Sequence, residues 1–357
     1  MSRPTRIDID TSALAHNVRR VKQCAPGKKI IAMVKANAYG CGLPVVLPIL
    51  EPAVDAFGVA CLQEALAVRA LGSERDCILF QGIFSPDELP LLADKNLQCV
   101  IHQQHQLNWI LTSPQPKKIK VWLKINTGMN RLGIACHEMN DMITALSDCP
   151  WVDNDIGLMT HLACSDDLHH ESNQKQLQIF NHLPNFECIS ERSMANSAAI
   201  LTQPDMHFDA VRPGIMLYGI SPFAHQIGQH YDLKPVMRFV SAITAIQRYA
   251  PSTPIGYGAT WQSEQASVIG LVSVGYGDGY PRHIAPGTLV WVNGDVVPIV
   301  GRVSMDMITV DLTNCRSKAV GDPVELWGEH IPIETVAKQA GTIAYELICQ
   351  ITQRVRI

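Results

Sequence analysis

Short apolar runs alternate with amphipathic segments from the beginning of the chain to about residue 220. Continuous apolar runs are typical of strands buried on both faces, and amphipathic stretches between them are typical of the helices that cover such strands. Repeats of this unit predict a parallel sheet, and eight of them fit a closed (β/α)8 barrel better than an open sheet. The predicted strands recur about every 25 residues and lie at 29–34, 56–60, 77–81, 98–101, 119–125, 155–161, 187–194 and 209–217.

Several of the intervening segments carry helix signals of their own. Residues 44–50 and 63–71 are predicted helices, with Gly72 placed just past the second one as a C-terminal cap. Ser85 is a predicted N-cap because Pro86 and two acidic residues follow it. Residues 12–23 form a further predicted helix, which is compatible with packing on either part of the protein.

Beyond about residue 235 the pattern changes to stretches rich in Val, Ile and Thr, separated by turn-forming residues. β-Branched residues favour strands, and Asn293-Gly294 favours a tight hairpin. The predicted strands lie at 240–246, 267–274, 288–300 and 308–310. We therefore expect a barrel over residues 1–232 and a mostly-β domain over residues 233–357, with the first residues of the chain able to join the latter.

Charge and composition narrow the class of protein. The 357 residues carry a formal net charge of -4 without a basic cluster, so nucleic acid is not an expected partner. Eleven cysteines without a C-x-x-C pair argue against a disulfide framework or a zinc cage. The first residues lack the apolar core of a signal peptide, and no apolar stretch reaches membrane-spanning length. We expect a cytoplasmic protein that has no membrane partner.

Lys35 directly follows the first predicted barrel strand. Active sites of such barrels are built at the carboxyl ends of the strands. A lysine that loses solvation there has a lowered pKa and can supply the neutral amine that a Schiff base requires. From position alone, the alternative is a lysine whose ammonium group simply reaches the surface.

Nine short motifs run in order along the whole chain. They are VKANAYG (34–40), KINTGMNRLG (124–133), THLA (160–163), ANSAA (195–199), RPGI with LYG (212–215, 217–219), GYGATW (256–261), VGYGDGY (274–280), GRVSMD (301–306) and GTIAYE (341–346). Together they resemble the motifs of alanine racemases, and the first is similar to the segment that carries pyridoxal phosphate in that family. One such motif would be weak evidence, whereas nine in the same order make a chance match implausible.

The resemblance implies a (β/α)8 barrel followed by a β domain, which agrees with the pattern above. It also implies pyridoxal 5'-phosphate as the cofactor, alanine as the substrate, and a head-to-tail homodimer in which the β domain of one subunit closes the active site of the other. The implied reaction is the interconversion of L-alanine and D-alanine. It would supply D-alanine for peptidoglycan or serve alanine catabolism, and the sequence does not choose between the two.

By the same resemblance, Lys35 attaches the cofactor and then serves as one base, while Tyr257 of the partner subunit is the base on the opposite face. Two bases are chemically sensible because a planar carbanion must exchange a proton on either face. His161 is similar to the residue that assists there. Arg212 is expected to face the pyridine nitrogen; it cannot accept a proton, so it disfavours a protonated pyridine.

The remaining site residues follow from the other motifs. Ser197, Gly214, Ile215, Tyr39 and Tyr345 match the family's phosphate contacts, and Asn196 begins the helix that Ser197 enters. Arg131 and the backbone N–H of Met305 match contacts to the substrate carboxylate. Tyr276 and Asp306 are expected to line the substrate entrance. Lys124 matches a lysine that is carbamylated in some relatives, where it holds the adjacent arginine.

Other interpretations compete with this one. A decarboxylase of the same architecture would carry an acid at the pyridine nitrogen and a cysteine opposite the lysine, against which Arg212 and Tyr257 argue. A racemase of serine or another amino acid stays open. A non-catalytic pyridoxal-phosphate carrier would resemble the barrel half only.

Two further motifs are set aside. The pair His102 and His105 is interpreted as helix surface rather than as a metal site. The glycines at 275–279 do not follow a βα unit and so do not indicate a dinucleotide loop. Cys41, Asn126 and Ser304 depart from common family residues without removing any catalytic group.

Overall fold

The computed structural model describes residues 3–355, and these residues divide into two compact units. One unit comprises Ala15–Ala38 and Leu43–Leu217; the other comprises the chain up to Leu14, Tyr39–Gly42 and the chain from Tyr218 onwards. No helix among residues 3–355 is long and apolar enough to cross a membrane.

Eight parallel strands close into a barrel in chain order. The barrel closes where Lys29 pairs with Ala210 and Ile30 pairs with Val211. The expected closed barrel is thereby confirmed. Its strands are Lys29–Met33, Ala56–Val59, Asp76–Leu79, Gln98–Ile101, Val121–Lys124, Ile156–Met159, Ile189–Ser193 and Ala210–Val211.

The last predicted strand, 209–217, is shorter than expected. Only Ala210–Val211 is extended, and a 3-10 turn occupies Ile215–Tyr218. Pro213 cannot donate to a strand ladder, so the apolar residues after it leave the barrel wall. Apolar character alone does not separate a strand from a buried turn.

The barrel interior is filled around Trp122, which is 1% exposed. Its indole Nε1 donates to Gln98 Oε1 at 2.8 Å, so the buried N–H is satisfied. Gly157 leaves room for the ring, because a Cβ there would lie 2.2 Å from Trp122. The core around the ring consists of Ile31, Ala56, Ile78, Val100, Met159 and Ala210.

Helices follow most of the barrel strands, as the alternation predicts. Ser85 accepts the Asp87 N–H as the expected N-cap, and Gly72 has φ of 86° past its helix. The α-helices are Thr11–Cys24, Leu43–Leu50, Leu62–Ala70, Leu89–Asp94, Gln104–Thr112, Met139–Ser147, Glu171–Asn181 and Ser197–Thr202, with 3-10 turns at Pro86–Glu88, Cys136–Glu138 and Pro204–Met206.

The second unit is built on a seven-stranded antiparallel sheet. The predicted hairpin is present: Asn293 and Gly294 have φ of 48° and 88° between two paired strands. In sheet order the strands are Arg6–Ile9, Met237–Tyr249, Ser267–Val272, Ile308–Asp311, Asp295–Val300, Leu289–Val292 and Pro323–Trp327. The unit also contains the short pair Pro254–Ile255 and Trp261–Gln262, helices Ile333–Gln339 and Ala344–Cys349, and 3-10 turns Gly228–Tyr231, Tyr257–Ala259 and Tyr276–Asp278.

Candidate active site

Lys35 lies just after the first barrel strand, on a turn with an unusual backbone. The four residues from Ala36 to Tyr39 all have φ of 53–54°, and none is glycine. The Ala38 N–H donates to the Val34 carbonyl at 2.9 Å, so the segment forms a left-handed helical turn. Left-handed backbone costs roughly 1–2 kcal/mol for each non-glycine residue. Strain of this kind persists only where the surroundings hold it, and it concentrates at functional sites.

Glu64 holds the lysine turn in place. One oxygen of its carboxylate accepts the Ala36 N–H at 2.8 Å, and the other accepts the Ala60 N–H at 2.7 Å. The carboxylate therefore joins the ends of two neighbouring barrel strands. We did not predict this role for Glu64, since an acidic residue in the first turn of a helix is common. Its place in the first turn of the helix that follows a barrel strand was the available signal that it lies near the site.

Lys35 itself is exposed. The strand end therefore does not desolvate the side chain in the way that its position in the sequence had led us to expect. Any enclosure of this amine comes from something added to the chain, such as a ligand or a second subunit.

Arg212 is only 4% exposed and is held by several acceptors. It donates to Ser193 Oγ at 2.6 Å, to the Thr160 carbonyl at 2.6 Å and to the Met194 carbonyl at 3.1 Å. Its guanidinium also lies 5.9 Å from the centre of the Phe80 ring. Burial lowers the pKa of Arg212 to about 10. The guanidinium is therefore a rigidly placed cation at the carboxyl end of the barrel.

His161 is tied to this cation. Its Nδ1 lies 3.3 Å from Arg212, and because a guanidinium only donates, Nδ1 must accept. Burial and the charges of Arg212, Lys124, Arg131 and Lys35 lower the pKa of His161 well below its usual range. The ring is consequently neutral, with its proton on Nε2.

Lys124 belongs to the same group of cations and is 8% exposed. Burial, followed by repulsion from Arg212, Arg131 and Lys35, lowers its pKa to about 8. Every charge that shifts the pKa of Lys124 or of His161 belongs to a cation. The carboxyl end of the barrel is therefore an electropositive site, which suits an anionic ligand.

Backbone and hydroxyl groups converge at the start of a short helix in the barrel. Asn196 is the N-cap of this helix and Ser197 its first residue. Ser197 Oγ accepts the N–H groups of Gly214 at 2.9 Å and Met216 at 3.4 Å. Ile215, between these two donors, is fully buried. The first N–H groups of a helix have no partner within it, so a helix start beside this turn is suited to a phosphate.

Tyr39 and Tyr345 lie together in the second unit. Tyr39 stacks on Tyr218 with ring centres 4.7 Å apart, and Tyr345 lies 6.3 Å from Tyr39. Burial raises the pKa of the Tyr39 phenol, so its hydroxyl stays protonated and can donate.

The residues of the second unit that were predicted to act at the substrate have exposed side chains. Tyr257 is 69% exposed, Met305 52% and Tyr276 40%. Tyr257 lines an open pocket with Arg302 and Ser304. Backbone hydrogen bonds join the segments that carry Tyr276 and Met305, since the Tyr276 N–H donates to the Ser304 carbonyl at 3.1 Å.

The structure thus gathers Lys35, Lys124, Arg131, His161 and Arg212 into one charged cluster. In the second unit Tyr39 lies near Tyr345, and the segment of Tyr276 is bonded to that of Met305. The interpretation of His102 as helix surface is wrong: it is 7% exposed at a strand end, with Nε2 3.0 Å from the Gln81 carbonyl. His102 directly follows a barrel strand and precedes the helix, so its side chain is a buried polar group and not part of a helix surface. His105 is exposed on its helix, and no metal-binding cluster occurs among residues 3–355.

The barrel carries two lysines, two arginines and a histidine at one end, and a turn of the β domain exposes a tyrosine. This combination is that of an amino-acid racemase built from a barrel and a β domain. The model of the alanine racemase N-terminal domain matches residues 9–222, and that of the C-terminal domain matches residues 236–357. The chain belongs to the alanine racemase family.

Individual relatives agree with the family models. The chain is 57% identical to the alanine racemase of Legionella pneumophila (strain Lens) over 100% of this chain and 99% of the relative. Its structure is similar to that of the biosynthetic alanine racemase from Pseudomonas aeruginosa, with a TM-score of 0.95 and 41% identity over 99% of both chains. The alanine racemase of Acinetobacter baumannii gives a TM-score of 0.92 and 44% identity, again over 99% of both chains. The match of the second domain removes the carrier interpretation, which required the barrel alone.

Proposed function

We propose that this racemase interconverts L-alanine and D-alanine with pyridoxal 5'-phosphate bound at the carboxyl end of its barrel. The observation that carries the proposal is the electropositive cluster beside the strained lysine turn. We propose a barrel domain over residues 1–232 and a β domain over residues 233–357 that also includes the first residues of the chain.

The residues present fit this cofactor. The phosphate would be held by Ser197, the N–H groups around Gly214 and Ile215, and the Tyr39 and Tyr345 hydroxyls. Converging N–H groups at a helix start can bind such an anion by donating hydrogen bonds to it, without a paired cation. Lys35 would attach the cofactor. When bound, pyridoxal phosphate acts as an electron sink that makes the Cα proton of an amino acid acidic.

Arg212 would face the pyridine nitrogen. A guanidinium only donates hydrogen bonds, and its acceptors Ser193, Thr160 and Met194 fix its direction. An arginine there disfavours a protonated ring nitrogen and limits side reactions such as transamination. A decarboxylase of this architecture would carry an acid at the same place, so Arg212 favours a racemase.

Two residues would move the proton at Cα. Lys35 would act on one face of the substrate and Tyr257 of the partner subunit on the other. His161, neutral with its proton on Nε2, would donate a hydrogen bond to the tyrosine oxygen. Removal of the site from water strengthens each of these interactions.

We propose a head-to-tail homodimer, because it would give the exposed side chains of the second unit a function. Tyr257 and Met305 are more than half exposed in a single chain. Exposed apolar groups in a connected region often mark an interface. In the dimer they would face the barrel of the other subunit, where Arg131 and the Met305 N–H would hold the substrate carboxylate and Tyr276 and Asp306 would line the entrance.

Lys124 would be carbamylated and would orient Arg131. Carbon dioxide adds to a neutral amine, and a pKa of about 8 gives Lys124 far more neutral amine near pH 7 than an ordinary lysine has. A carbamate would also place a negative charge among cations. Labelled bicarbonate should give a carbamate carbon signal by NMR that is missing in Lys124→Met; equal spectra would exclude the modification.

The test of the function is a chiral assay of D-alanine formed from L-alanine, with pyridoxal phosphate added and with L-serine and L-lysine as separate substrates. Fast, reversible conversion of alanine alone would support the proposal. Faster conversion of serine or lysine would change the substrate. Cofactor binding without any racemisation would overturn the proposed roles, that of Tyr257 first. The cytoplasmic location stays a prediction. The role of the reaction stays open between cell-wall supply and alanine catabolism.

A further inference from the structure

Asp278 is a carboxylate with no exposed surface, and it binds two arginines from distant parts of the sequence. Arg3 makes a bidentate pair with it, at 2.6 Å to Oδ1 and 2.9 Å to Oδ2. Arg354 Nε lies 3.4 Å from Oδ1. The Gly275 N–H also donates to Oδ2 at 3.0 Å. A buried charge needs such partners, since it loses its hydration.

The same two arginines reach the segment that contains Met305. Arg3 donates to the Asp306 carbonyl at 3.2 Å, and Arg354 pairs with the Asp306 carboxylate at 2.6 Å. We call residues 275–279 and 304–306 the entrance loops. The Gly277 N–H donates to the Met305 carbonyl at 2.9 Å, so the two loops are also bonded directly.

Arg354 is fitted closely to the first entrance loop. A Cβ on Gly277 would lie 2.3 Å from Arg354 Nη1, so the guanidinium lies against the backbone and would have to shift for any larger residue at this position. Nearby, Thr352 Oγ1 donates to the Gly277 carbonyl at 2.9 Å, and its N–H donates to the Asp278 carbonyl at 3.2 Å. The C-terminal segment therefore fixes the backbone that directly follows Tyr276.

We propose that Arg3 and Arg354, acting through Asp278, are positioning residues that set the entrance loops for recognition of the substrate carboxylate. The inference rests on the proposed function, in which Met305 offers its N–H to that carboxylate and Tyr276 lines the entrance. Binding geometry held to a few tenths of an ångström requires support from outside the residues that touch the ligand.

The exposure of the ion pair between Arg354 and Asp306 argues that this pair positions the loop rather than stabilises the fold. The side chains of Arg354 and Asp306 are 41% and 53% exposed. Exposed ion pairs contribute little to folding stability, since water screens them and long side chains lose entropy. An exposed pair can still select one loop conformation among several of similar energy.

The test is Arg354→Ala in the holoenzyme, measured against unaltered enzyme. We expect KM for L- and D-alanine to rise roughly 3- to 10-fold, with kcat changed less than about twofold, as for a loss of ground-state and transition-state binding alike. The inhibition constant of acetate, a carboxylate without an amine, should rise in parallel. In Arg354→Lys, KM and the inhibition constant of acetate should lie between those of the unaltered enzyme and those of Arg354→Ala. Arg316→Ala is the matched control, because Arg316 is 77% exposed and pairs with Asp295 in the same unit.

Amide hydrogen exchange supplies a readout that does not depend on turnover. Exchange in 275–279 and 304–306 should be faster in Arg354→Ala and in Arg3→Ala. The increase in the double variant should be smaller than the sum of the two single increases, because both arginines act through one carboxylate. Unchanged exchange and unchanged KM in a folded Arg354→Ala would overturn the inference. A large fall in the melting temperature with the KM preserved would make the arginine structural, which also overturns it. If the unaltered enzyme does not racemise alanine, the proposed function fails, whereas the exchange result still decides on the positioning role.

Discussion

The carboxylate of Glu64 accepts the backbone N–H of Ala36 at 2.8 Å, directly beside the lysine proposed to carry the cofactor. Ala36 is the first of four non-glycine residues in the left-handed conformation. A hydrogen bond to a charged acceptor contributes more than one to a neutral acceptor, about 1.5–3 kcal/mol. This bond therefore offsets part of the backbone strain of the turn.

Replacing Glu64 by Ala should release that strain. We expect kcat/KM to fall about tenfold or more, because the amine of Lys35 would lose its fixed position. Cofactor affinity, measured by titration of absorbance, should fall as well. The control is Glu138→Ala, since Glu138 also accepts a backbone N–H, that of Ala135, at 2.8 Å. Equal effects of the two substitutions would show that Glu64 contributes only to stability.

Lys35→Ala should abolish covalent attachment of the cofactor. After borohydride reduction, the peptide that contains residue 35 should carry the cofactor mass in unaltered protein and lose it in the variant. Lys29→Ala is the matched control, because Lys29 begins the same strand and pairs with Glu191 at 2.6 Å. Retention of the cofactor mass in Lys35→Ala would place the attachment on a different lysine.

Tyr257→Phe should separate racemisation from proton exchange. Removal of one positioned acid or base typically costs about 10²- to 10⁴-fold, and kcat/KM should fall equally in both directions because the enantiomers have equal free energy in water. In deuterated water, Cα exchange should continue only for the enantiomer whose proton faces Lys35. Exchange that stays equal for both enantiomers would argue against Tyr257 as the second base.

Lys124 should make stability depend on pH in alkaline solution. Its folded pKa of about 8 lies below the ordinary 10.5, so between these values the unfolded state binds more protons and stability rises with pH. Below about pH 8 Lys124 is protonated in both the folded and the unfolded protein, so the folded state bears the full free-energy cost of a buried ammonium group. Lys124→Met should therefore be more stable than unaltered protein at pH 7, by on the order of 1–3 kcal/mol, and the difference should shrink towards pH 10. Denaturant unfolding in degassed buffer measures this; a difference that grows with pH would contradict the assignment.

The barrel was predictable because its strands are buried on both faces and therefore read as continuous apolar runs. Gln98–Ile101 agrees with the prediction residue for residue. Arg6–Ile9 was missed, because its strand exists through pairing with Met237–Val240, more than 200 residues away. Pro323–Trp327 was missed for the same reason, since its partners lie in strands far along the chain.

The residues of the charged cluster could be named from motifs, whereas the groups that support them could not. Sequence placed Lys35 at a strand end, but of Ala36, Asn37 and Ala38 only the asparagine tolerates left-handed backbone, which glycine usually supplies. Glu64 accepts the N–H of residue 36, and Asp278 binds the side chains of two arginines, and tertiary structure brings these partners near. A pattern of residue types does not contain those distances.

The pairing of Arg3 and Arg354 with one carboxylate brings residue 3 and residue 354 to the same point. In terms of topology the chain is nearly a ring, closed by salt bridges instead of a peptide bond. A short linker that joins residue 3 to residue 354 should then allow the chain to be opened at an exposed loop elsewhere, giving a circular permutant that keeps the fold. The same closeness means that a bulky group attached at residue 3 or at residue 354 would stand beside the proposed substrate entrance.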